Sequence, residues 1–535
     1  MKKILPYLVS VASGAALGLV FDGVLESGLA WFALVPLLVF CRFCAPKKAA
    51  RHGFAFAYPM WLVSIRWMME LRNNGGPVAL VILGLFGLSA YCAAYTSLFA
   101  AAASFVWREA EKRLSAPRVR AVVTTLALPL LWCGAEYMRS TLLSGFAWNS
   151  LGVTQAGYLP VMQTASLGGV YAVSYLVVML NCGVTGAGVR IWRNIRRPGS
   201  DGRRHFDLMT ALTILLVVFW WGTRRANALR IAEYKAPTMQ IAAVNPEFPC
   251  IFTRDDKSID NSWRGLLEDT RMVAAFKPDL IVWPETVIPY DMRDARFEAF
   301  MSYQIAMQFG SPILAGGTEI FEHDEKEFVF NSSFLFTSNG VAEIYRKQHL
   351  VPVGEYIPLD KKFTRLQRFA PAGISCTPGF GPVLMPIETA TTNAIVSPLI
   401  CFEDTVAPLS RAAVRAGADI LIAQSNDAWF KGSGEAWQHH RQAVFRAVEN
   451  ARPLVRCSNS GVMSVVSSYG ASSDDTDGRF YNHPVPILRD IPRTPYTRFG
   501  DWLFGIPCAA LLCAISVLLM PPPILSAFLK KPSKT

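Results

Sequence analysis

Residues 397–404 read Ser-Pro-Leu-Ile-Cys-Phe-Glu-Asp, an apolar run that ends on a cysteine and two acids. Short apolar runs bounded by polar residues are typical of buried strands. The run therefore predicts a strand that ends at Cys401, just before the chain turns into a helix. Alone, a cysteine at the end of a strand is more often structural than reactive, so the surrounding sequence decides its role.

Similar apolar runs recur on both sides of Cys401 and predict further strands. They lie at Met239–Val244, Leu280–Trp283, Ile313–Ala315, Phe334–Phe336, Ala394–Ile400, Ile420–Ala423 and Val462–Val466. Helix-like stretches lie between them, at about 259–273, 295–308, 407–416 and 436–451. This alternation predicts a layered α/β sandwich over residues 235–495.

Two more reactive side chains follow predicted strands. Glu285 comes directly after Trp283 and Pro284, and Lys347 lies in the segment Tyr345–Tyr356. Alone, the glutamate would usually be an exposed turn residue and the lysine a solvated one. Together with Cys401 they supply a nucleophile, a base that takes the thiol proton, and a cation that stabilises a tetrahedral oxyanion. We therefore predict a catalytic triad of Glu285, Lys347 and Cys401.

The rest of the chain is far more apolar than this domain. Only 17% of the 535 residues are charged, against about 25% in a typical soluble protein. A bilayer crossing needs roughly 17–25 apolar residues. Eight runs qualify, near 4–20, 24–41, 53–70, 77–100, 120–137, 159–186, 206–222 and 500–520. We predict a seven-span membrane domain over 1–222, an eighth span over 499–521 and a basic tail over 522–535.

The first run could instead be a signal peptide, because Lys2 and Lys3 precede it. A second apolar run follows almost at once, which favours a pair of spans.

Basic residues predict the orientation of the spans. The net charge is +12, and Lys and Arg cluster beside the spans without any nucleic-acid-binding motif. They fill alternate loops: Arg42, Lys47, Lys48 and Arg51; Arg108, Lys112, Arg113, Arg118 and Arg120; Arg190, Arg193, Arg196, Arg197, Arg203 and Arg204; and Lys530, Lys531 and Lys534 in the tail. The positive-inside rule then places both termini in the cytoplasm and residues 235–495 outside a bacterial inner membrane. The expected partners are membrane lipids, not nucleic acid.

Two residues of the apolar region need an explanation. Arg66 lies inside the third run, where it is expected to snorkel or to pair with Glu70, or else to contact a lipid headgroup. Trp148 lies in a loop between Gly145 and Gly152, where it is either a membrane anchor or part of an entrance to the site.

The eleven cysteines include one C-x-x-C pair, Cys41 and Cys44, which lies at the end of a predicted span, where cysteine is usually a small hydrophobic residue, so we predict no metal site. A disulfide among Cys250, Cys376 and Cys457 stays open at this stage.

These motifs resemble the nitrilase (carbon-nitrogen hydrolase) superfamily, and more narrowly the apolipoprotein N-acyltransferase family. The superfamily resemblance rests on Trp283-Pro284-Glu285, Lys347 with Leu350-Val351-Pro352 and Gly354-Glu355, and Cys401 with Glu403. The narrower one adds the eight-span frame, the loop 145–148, Asn426–Phe430, Trp437–His439, and Arg446–Pro453 through Asn459 and Gly461. Phe402 and Val353 depart from it, since the family often has tyrosine and phenylalanine there.

The resemblance implies an α-β-β-α sandwich and a ping-pong acyl-transfer reaction that uses neither a metal nor a cofactor. Cys401 would take an acyl chain from a phospholipid as a thioester and pass it to the N-terminal amine of a diacylglyceryl-cysteine apolipoprotein. Glu355, Glu403 and Phe402 would support the triad, and Trp148 and Trp429 would contact substrate. A membrane-tethered amidase that uses water, and a non-catalytic lipid- or lipoprotein-binding homologue, are the alternatives.

Overall fold

The computed structural model describes residues 4–198, 204–248, 256–288, 290–324, 326–358, 375–389, 392–475 and 478–520. Cys250 and the tail 522–535 lie outside the described residues. The described helices of the apolar region are α1 (Leu5–Phe21), α2 (Val35–Phe43), α3 (Pro46–Ser64), α4 (Val78–Arg113), α5 (Pro117–Thr141), α6 (Val170–Arg196) and α7 (Phe206–Lys235). Four more belong to the sandwich and one follows it: α8 (Asp256–Ala274), α9 (Ala295–Gln304), α10 (Ala407–Ala416), α11 (Glu435–Asn450) and α12 (Gly505–Leu518).

Each of the eight predicted spans overlaps one helix, α1 to α7 or α12, but only five helices of the described chain are long and apolar enough to cross a membrane. They are α4, α5, α6, α7 and the segment Pro495–Leu518 that ends with α12. The first three are shorter or more polar: α1 has 17 residues, α2 has nine, and α3 begins with Pro46, Lys47 and Lys48. The membrane domain is therefore confirmed, while the count of eight complete spans is not.

Arg66 does not pair with Glu70 as one alternative predicted. Helix α3 ends at Ser64, and residues 66–72 form a 3₁₀ helix, so Glu70 no longer lies one α-helical turn from Arg66. The Arg66 guanidinium instead pairs with the carboxylate of Asp22, which is 3% exposed.

The soluble part is a sandwich of two six-stranded sheets. The strands are β1 (Thr238–Val244), β2 (Leu280–Val282), β3 (Ile313–His323), β4 (Lys326–Thr337), β5 (Gly340–Arg346), β6 (Met385–Glu388), β7 (Asn393–Ile400), β8 (Ile420–Asn426), β9 (Leu454–Asn459), β10 (Met463–Val466), β11 (Ser472–Asp475) and β12 (Phe480–Pro486). The sheets run in the orders β12-β1-β2-β3-β4-β5 and β11-β10-β9-β8-β7-β6. Strands β1, β2 and β3 are parallel, as are β7, β8 and β9.

Apolar side chains from the two sheets meet in a common core. Val282 and Leu314 of one sheet join Val396 and Ile422 of the other in a single buried cluster. Helices α8 and α9 cover the first sheet, and α10 and α11 cover the second. This is the predicted α-β-β-α sandwich.

Helix α11 lies between the catalytic domain and the membrane domain. Thirteen of its 16 residues are buried, including both histidines, two glutamines and Glu449. On one side it packs with strands of the second sheet, and on the other with residues such as Met162 and Ala165 of the apolar region. A polar helix is buried on almost every side because membrane-domain groups complete its hydrogen bonds.

Cys376 and Cys457 are both free thiols, and Cys457 lies in the core between the sheets. The structure therefore contains no disulfide between Cys376 and Cys457.

Candidate active site

Cys401 occupies a strained turn at the end of β7. Its φ is +54°, in the left-handed region that residues other than glycine rarely adopt, and it begins the 3₁₀ turn Cys401–Thr405. Such a conformation costs about 1–3 kcal/mol and is often found at functional sites. Burial, and next the Glu285 carboxylate, raise the pKa of the Cys401 thiol to about 12, whereas Lys347 opposes that rise. The resting thiol is therefore neutral and needs a proton acceptor before it can attack.

Glu403 fixes this turn by linking it to the segment that carries Lys347. Its Oε2 accepts hydrogen bonds from the Ile400 N–H at 2.8 Å and the Tyr345 hydroxyl at 2.7 Å. Its Oε1 accepts from the N–H groups of Gln348 and His349, at 2.6 and 3.1 Å. Burial raises the pKa of Glu403, although these hydrogen bonds favour the ionised form. Glu403 thus positions Lys347 through the neighbouring backbone.

Lys347 follows the end of β5 and is 1% exposed. Its Nζ donates to Glu355 Oε1 at 2.9 Å and to Glu285 Oε1 at 3.3 Å. Burial opposes the charge of Lys347, but Glu285 and Glu355 outweigh it and raise the pKa of the ammonium well above its usual value. The structure therefore provides a permanent cation whose field reaches the Cys401 thiol.

Asn331 is a fourth polar member of this group that the sequence analysis missed. Its Nδ2 donates to Glu285 Oε1 at 2.7 Å and to Glu355 Oε1 at 2.9 Å. Asn331 lies in the middle of β4, a strand otherwise rich in phenylalanine. An asparagine that interrupts such a run is the signal that could have identified it, because a buried amide needs partners.

Aromatic rings from the membrane domain pack beside Phe402, the residue that follows Cys401. The Trp148 ring lies parallel to Phe402, 3° between planes and 6.2 Å between centroids, and Phe146 and His349 stack on Phe402 at 6.3 and 5.7 Å. Trp148 is only 2% exposed. The loop around Trp148 therefore contacts the turn that begins at Cys401, while its role at an entrance to the site stays a prediction.

Gln438 of α11 holds this aromatic group in place. Its Oε1 accepts from Trp148 Nε1 at 2.9 Å, Asn149 Nδ2 at 2.9 Å and Trp67 Nε1 at 3.2 Å. Its Nε2 donates to the Ser64 carbonyl at 2.9 Å. One buried amide on the catalytic domain thus binds three segments of the membrane domain. Sequence alone gave no partner for Gln438, since they lie about 290–370 residues away.

Trp429 and Val353 are two further residues that the sequence analysis singled out. The Trp429 carbonyl accepts from Asn74 Nδ2 at 2.7 Å, which links its turn to the membrane domain, and its ring is half-buried. Val353 has a φ of +68° and is 61% exposed, so the departure from the family pattern lies at the surface of a turn. The substrate-contact role of Trp429 stays a prediction.

Comparison with known proteins agrees with this arrangement of two domains. Residues 13–183 match the apolipoprotein N-acyltransferase N-terminal domain, and residues 237–480 match the carbon-nitrogen hydrolase family. The apolipoprotein N-acyltransferase of Geobacter metallireducens is 32% identical over 521 residues, covering 96% of this chain and 95% of that protein. That of Azotobacter vinelandii is 28% identical and covers 92% of each chain.

A solved carbon-nitrogen hydrolase superfamily protein from Xanthomonas campestris covers 46% of this chain and 90% of its own, with 18% identity and a TM-score of 0.34. The full-length relatives and the two matched domains carry the assignment: this chain belongs to the apolipoprotein N-acyltransferase family.

Proposed function

We propose that the chain completes lipoprotein maturation by moving an acyl chain from a membrane phospholipid to the N-terminal amine of a diacylglyceryl-cysteine apolipoprotein. The observation that carries this proposal is the buried group Glu285–Lys347–Glu355 beside Cys401, with a turn that packs on aromatic rings of the membrane domain. Both substrates are lipids, so a nucleophile next to the membrane domain is placed for them.

In the first half-reaction Cys401 attacks an ester carbonyl of the phospholipid. Its thiol proton passes to Glu285 as the sulfur–carbon bond forms, because the thiol is neutral at rest. Lys347, assisted by the Phe402 N–H, stabilises the oxyanion. The intermediate then releases the lysophospholipid, whose oxygen takes the proton from Glu285, and an acyl thioester remains on Cys401.

In the second half-reaction the free amine of the apolipoprotein attacks the thioester carbonyl. Glu285 takes a proton from the nitrogen and gives one to the departing Cys401 sulfur, so the enzyme returns to its starting state. Glu355 and Asn331 keep Glu285 and Lys347 in place through both steps, because Asn331 donates to Glu285 and Glu355, and Glu355 accepts from Lys347.

Mass spectrometry of the purified protein tests the nucleophile. Wild type incubated with phospholipid vesicles should gain an acyl mass on a peptide containing Cys401, and hydroxylamine should remove it. Cys376→Ser, which changes a half-buried free cysteine, serves as the matched control and should still acylate. A hydroxylamine-sensitive adduct on the Cys401→Ser variant would disprove the assignment. If the acyl group of the wild-type adduct were released only as free fatty acid when apolipoprotein is supplied, the protein would be an amidase.

The same proposal places the protein in a bacterial inner membrane, with the membrane domain over 1–222, the catalytic domain over 235–495 in the periplasm, and both termini in the cytoplasm. It rests on the alternate basic loops, such as those with Lys47 and Arg113. A membrane-impermeant thiol reagent on intact cells should label Ser338→Cys and not Lys47→Cys, in a background depleted of other cysteines. The reverse pattern would invert the topology.

A further inference from the structure

A closed ring of buried charges lies directly behind the nucleophile's turn. The Arg456 guanidinium pairs with Asp404 through Nη1 and with Asp427 Oδ2 through Nη2, the latter at 2.8 Å. On the other side, His439 Nε2 lies 2.8 Å from Asp404 Oδ1 and Nδ1 lies 3.3 Å from Asp427 Oδ1. All four side chains are at most 2% exposed. Two cations and two carboxylates therefore alternate around one ring.

The ring joins four elements that meet at the active site. Asp404 belongs to the turn that Cys401 begins, and Asp427 follows the end of β8. Arg456 lies on β9, next to β8 in the parallel part of the sheet, and His439 lies on α11 beside Gln438. The Trp148 ring also packs on His439, with 5.3 Å between ring centroids. The mechanism above uses none of these charged groups.

Both ring nitrogens of His439 lie next to a carboxylate: Nδ1 is hydrogen-bonded to Asp427, and Nε2 is within ion-pair distance of Asp404, which together favour the imidazolium. Glu435 adds a third carboxyl, with its Oε1 3.4 Å from His439 Nδ1. Burial, and then Asp427, raise the pKa of Glu435 to about 7. Burial and Arg456 disfavour the charge of His439, but Asp404 and Asp427 outweigh them and hold its pKa well above the usual value.

Donor atoms of Asp427, Glu435 and His439 lie within 4.8 Å of one another, a spacing that could hold a metal ion. Arg456, however, already binds Asp427 from the other side. The His439 imidazolium faces both Asp427 and Glu435. The positive charge that a metal would bring is thus supplied by the protein.

We propose that His439 is a positioning residue that keeps the Cys401 turn in its reactive geometry and favours the thiolate during acylation. Asp404 and Asp427 hold it as a cation, and Arg456 binds the same two carboxylates from the other side. This inference rests on the proposed role of Cys401 as nucleophile. His439 is one of two cations whose field lowers the pKa of the Cys401 thiol, the other being Lys347, whereas burial, Glu285 and Asp427 raise it.

The test compares His439→Gln with His440→Gln in the full-length protein. His440 is the next residue of α11, is 3% exposed, and lies within hydrogen-bonding distance of Ser464 and Ser472. Both changes replace a buried polar histidine with a neutral amide. The readouts are the rate of Cys401 acylation by phospholipid vesicles, the rate of iodoacetamide alkylation from pH 6 to 9, and thermal melting.

His439→Gln should slow acylation about ten- to a hundredfold, the effect of one to two pKa units on the thiol, and should slow alkylation at each pH. Its KM for phospholipid should stay near that of wild type, and His440→Gln should acylate like wild type. Equal acylation rates in the two variants would overturn the proposal. So would a loss of activity on chelation that zinc restores, because it would assign the cluster to a metal.

Asp404→Asn keeps the test decisive if His439→Gln does not fold. The isosteric amide weakens the attraction that holds His439 as an imidazolium. The acylation rate of this variant should therefore fall as the pH rises from about 6 to 8, the range in which an ordinary histidine titrates, whereas the wild-type rate should show no such fall. A pH profile that matches wild type would overturn the proposal. If Cys401 were not the nucleophile, wild type itself would carry its acyl adduct elsewhere, which separates that failure from this one.

Discussion

Gln438 is the residue whose replacement tests most directly whether the membrane domain shapes the active site. Gln438→Leu removes one acceptor that serves three N–H donors and one donor that serves the Ser64 carbonyl. Each buried polar group left without a partner costs about 1–3 kcal/mol. Four such groups give about 4–12 kcal/mol before relaxation, and even the lower value is a large part of the stability of a typical protein.

The expected result is a lower melting temperature and a fall of at least a hundredfold in acyl transfer, because Trp148 and Trp67 lose their common anchor. Gln438→Glu is the matched variant. Burial favours the neutral carboxylic acid, whose carbonyl oxygen accepts from the three donors and whose O–H donates to the Ser64 carbonyl. It should therefore retain most of the activity.

The assay is acyl transfer by purified variants in mixed micelles, run beside thermal melting of the same samples. Gln438→Leu with wild-type melting and turnover would refute the reasoning. Equal damage by the Leu and Glu variants would also refute it, since the three shared donors would then not be the source of the effect.

Three further predictions concern the triad and the aromatic rings. Lys347→Met should abolish acylation and destabilise the domain by about 3–5 kcal/mol, because Glu285 and Glu355 lose their buried counter-ion; chemical denaturation should show it. Alkylation of Cys401 should rise about tenfold per pH unit from pH 7 to 9, because its pKa is raised to about 12, and a plateau below pH 8 would contradict this. Trp148→Ala should lose about 3–5 kcal/mol of stability as well as turnover, whereas Trp148→Phe should melt closer to wild type, because it keeps a ring against Phe402.

The sequence predicted the catalytic sandwich well because its buried strands are short apolar runs. The predicted strand at Ala394–Ile400 is β7 (Asn393–Ile400), and the helix predicted at about 407–416 is α10 (Ala407–Ala416). Strand β9 (Leu454–Asn459) was missed because buried Arg456 interrupts its apolar pattern. That arginine can be buried only because Asp404 and Asp427 come from other elements, which periodicity along the chain does not reveal.

The same limit applied to the membrane region. The predicted span at 159–186 became helix α6 at Val170–Arg196, because residues 159–168 form short helical turns instead. The Val170 N–H at the start of α6 donates to Glu449 of α11 across 279 residues. Hydropathy measures how well a segment suits lipid, so it cannot separate a span from an apolar segment that packs on another domain.

Helix α11 explains why the two domains act as one unit. Its residues Gln438, His439 and Glu449 contact, in turn, the aromatic loop, the charged ring behind Cys401 and the start of α6. This helix would be less stable in a free nitrilase-like domain, because Gln438 and Glu449 would lose their membrane-domain partners while staying packed among apolar side chains. The membrane domain therefore does more than tether the catalytic domain to lipid. It completes hydrogen bonds of the helix that packs against the Cys401 turn, so the candidate site is fully assembled only together with the membrane domain.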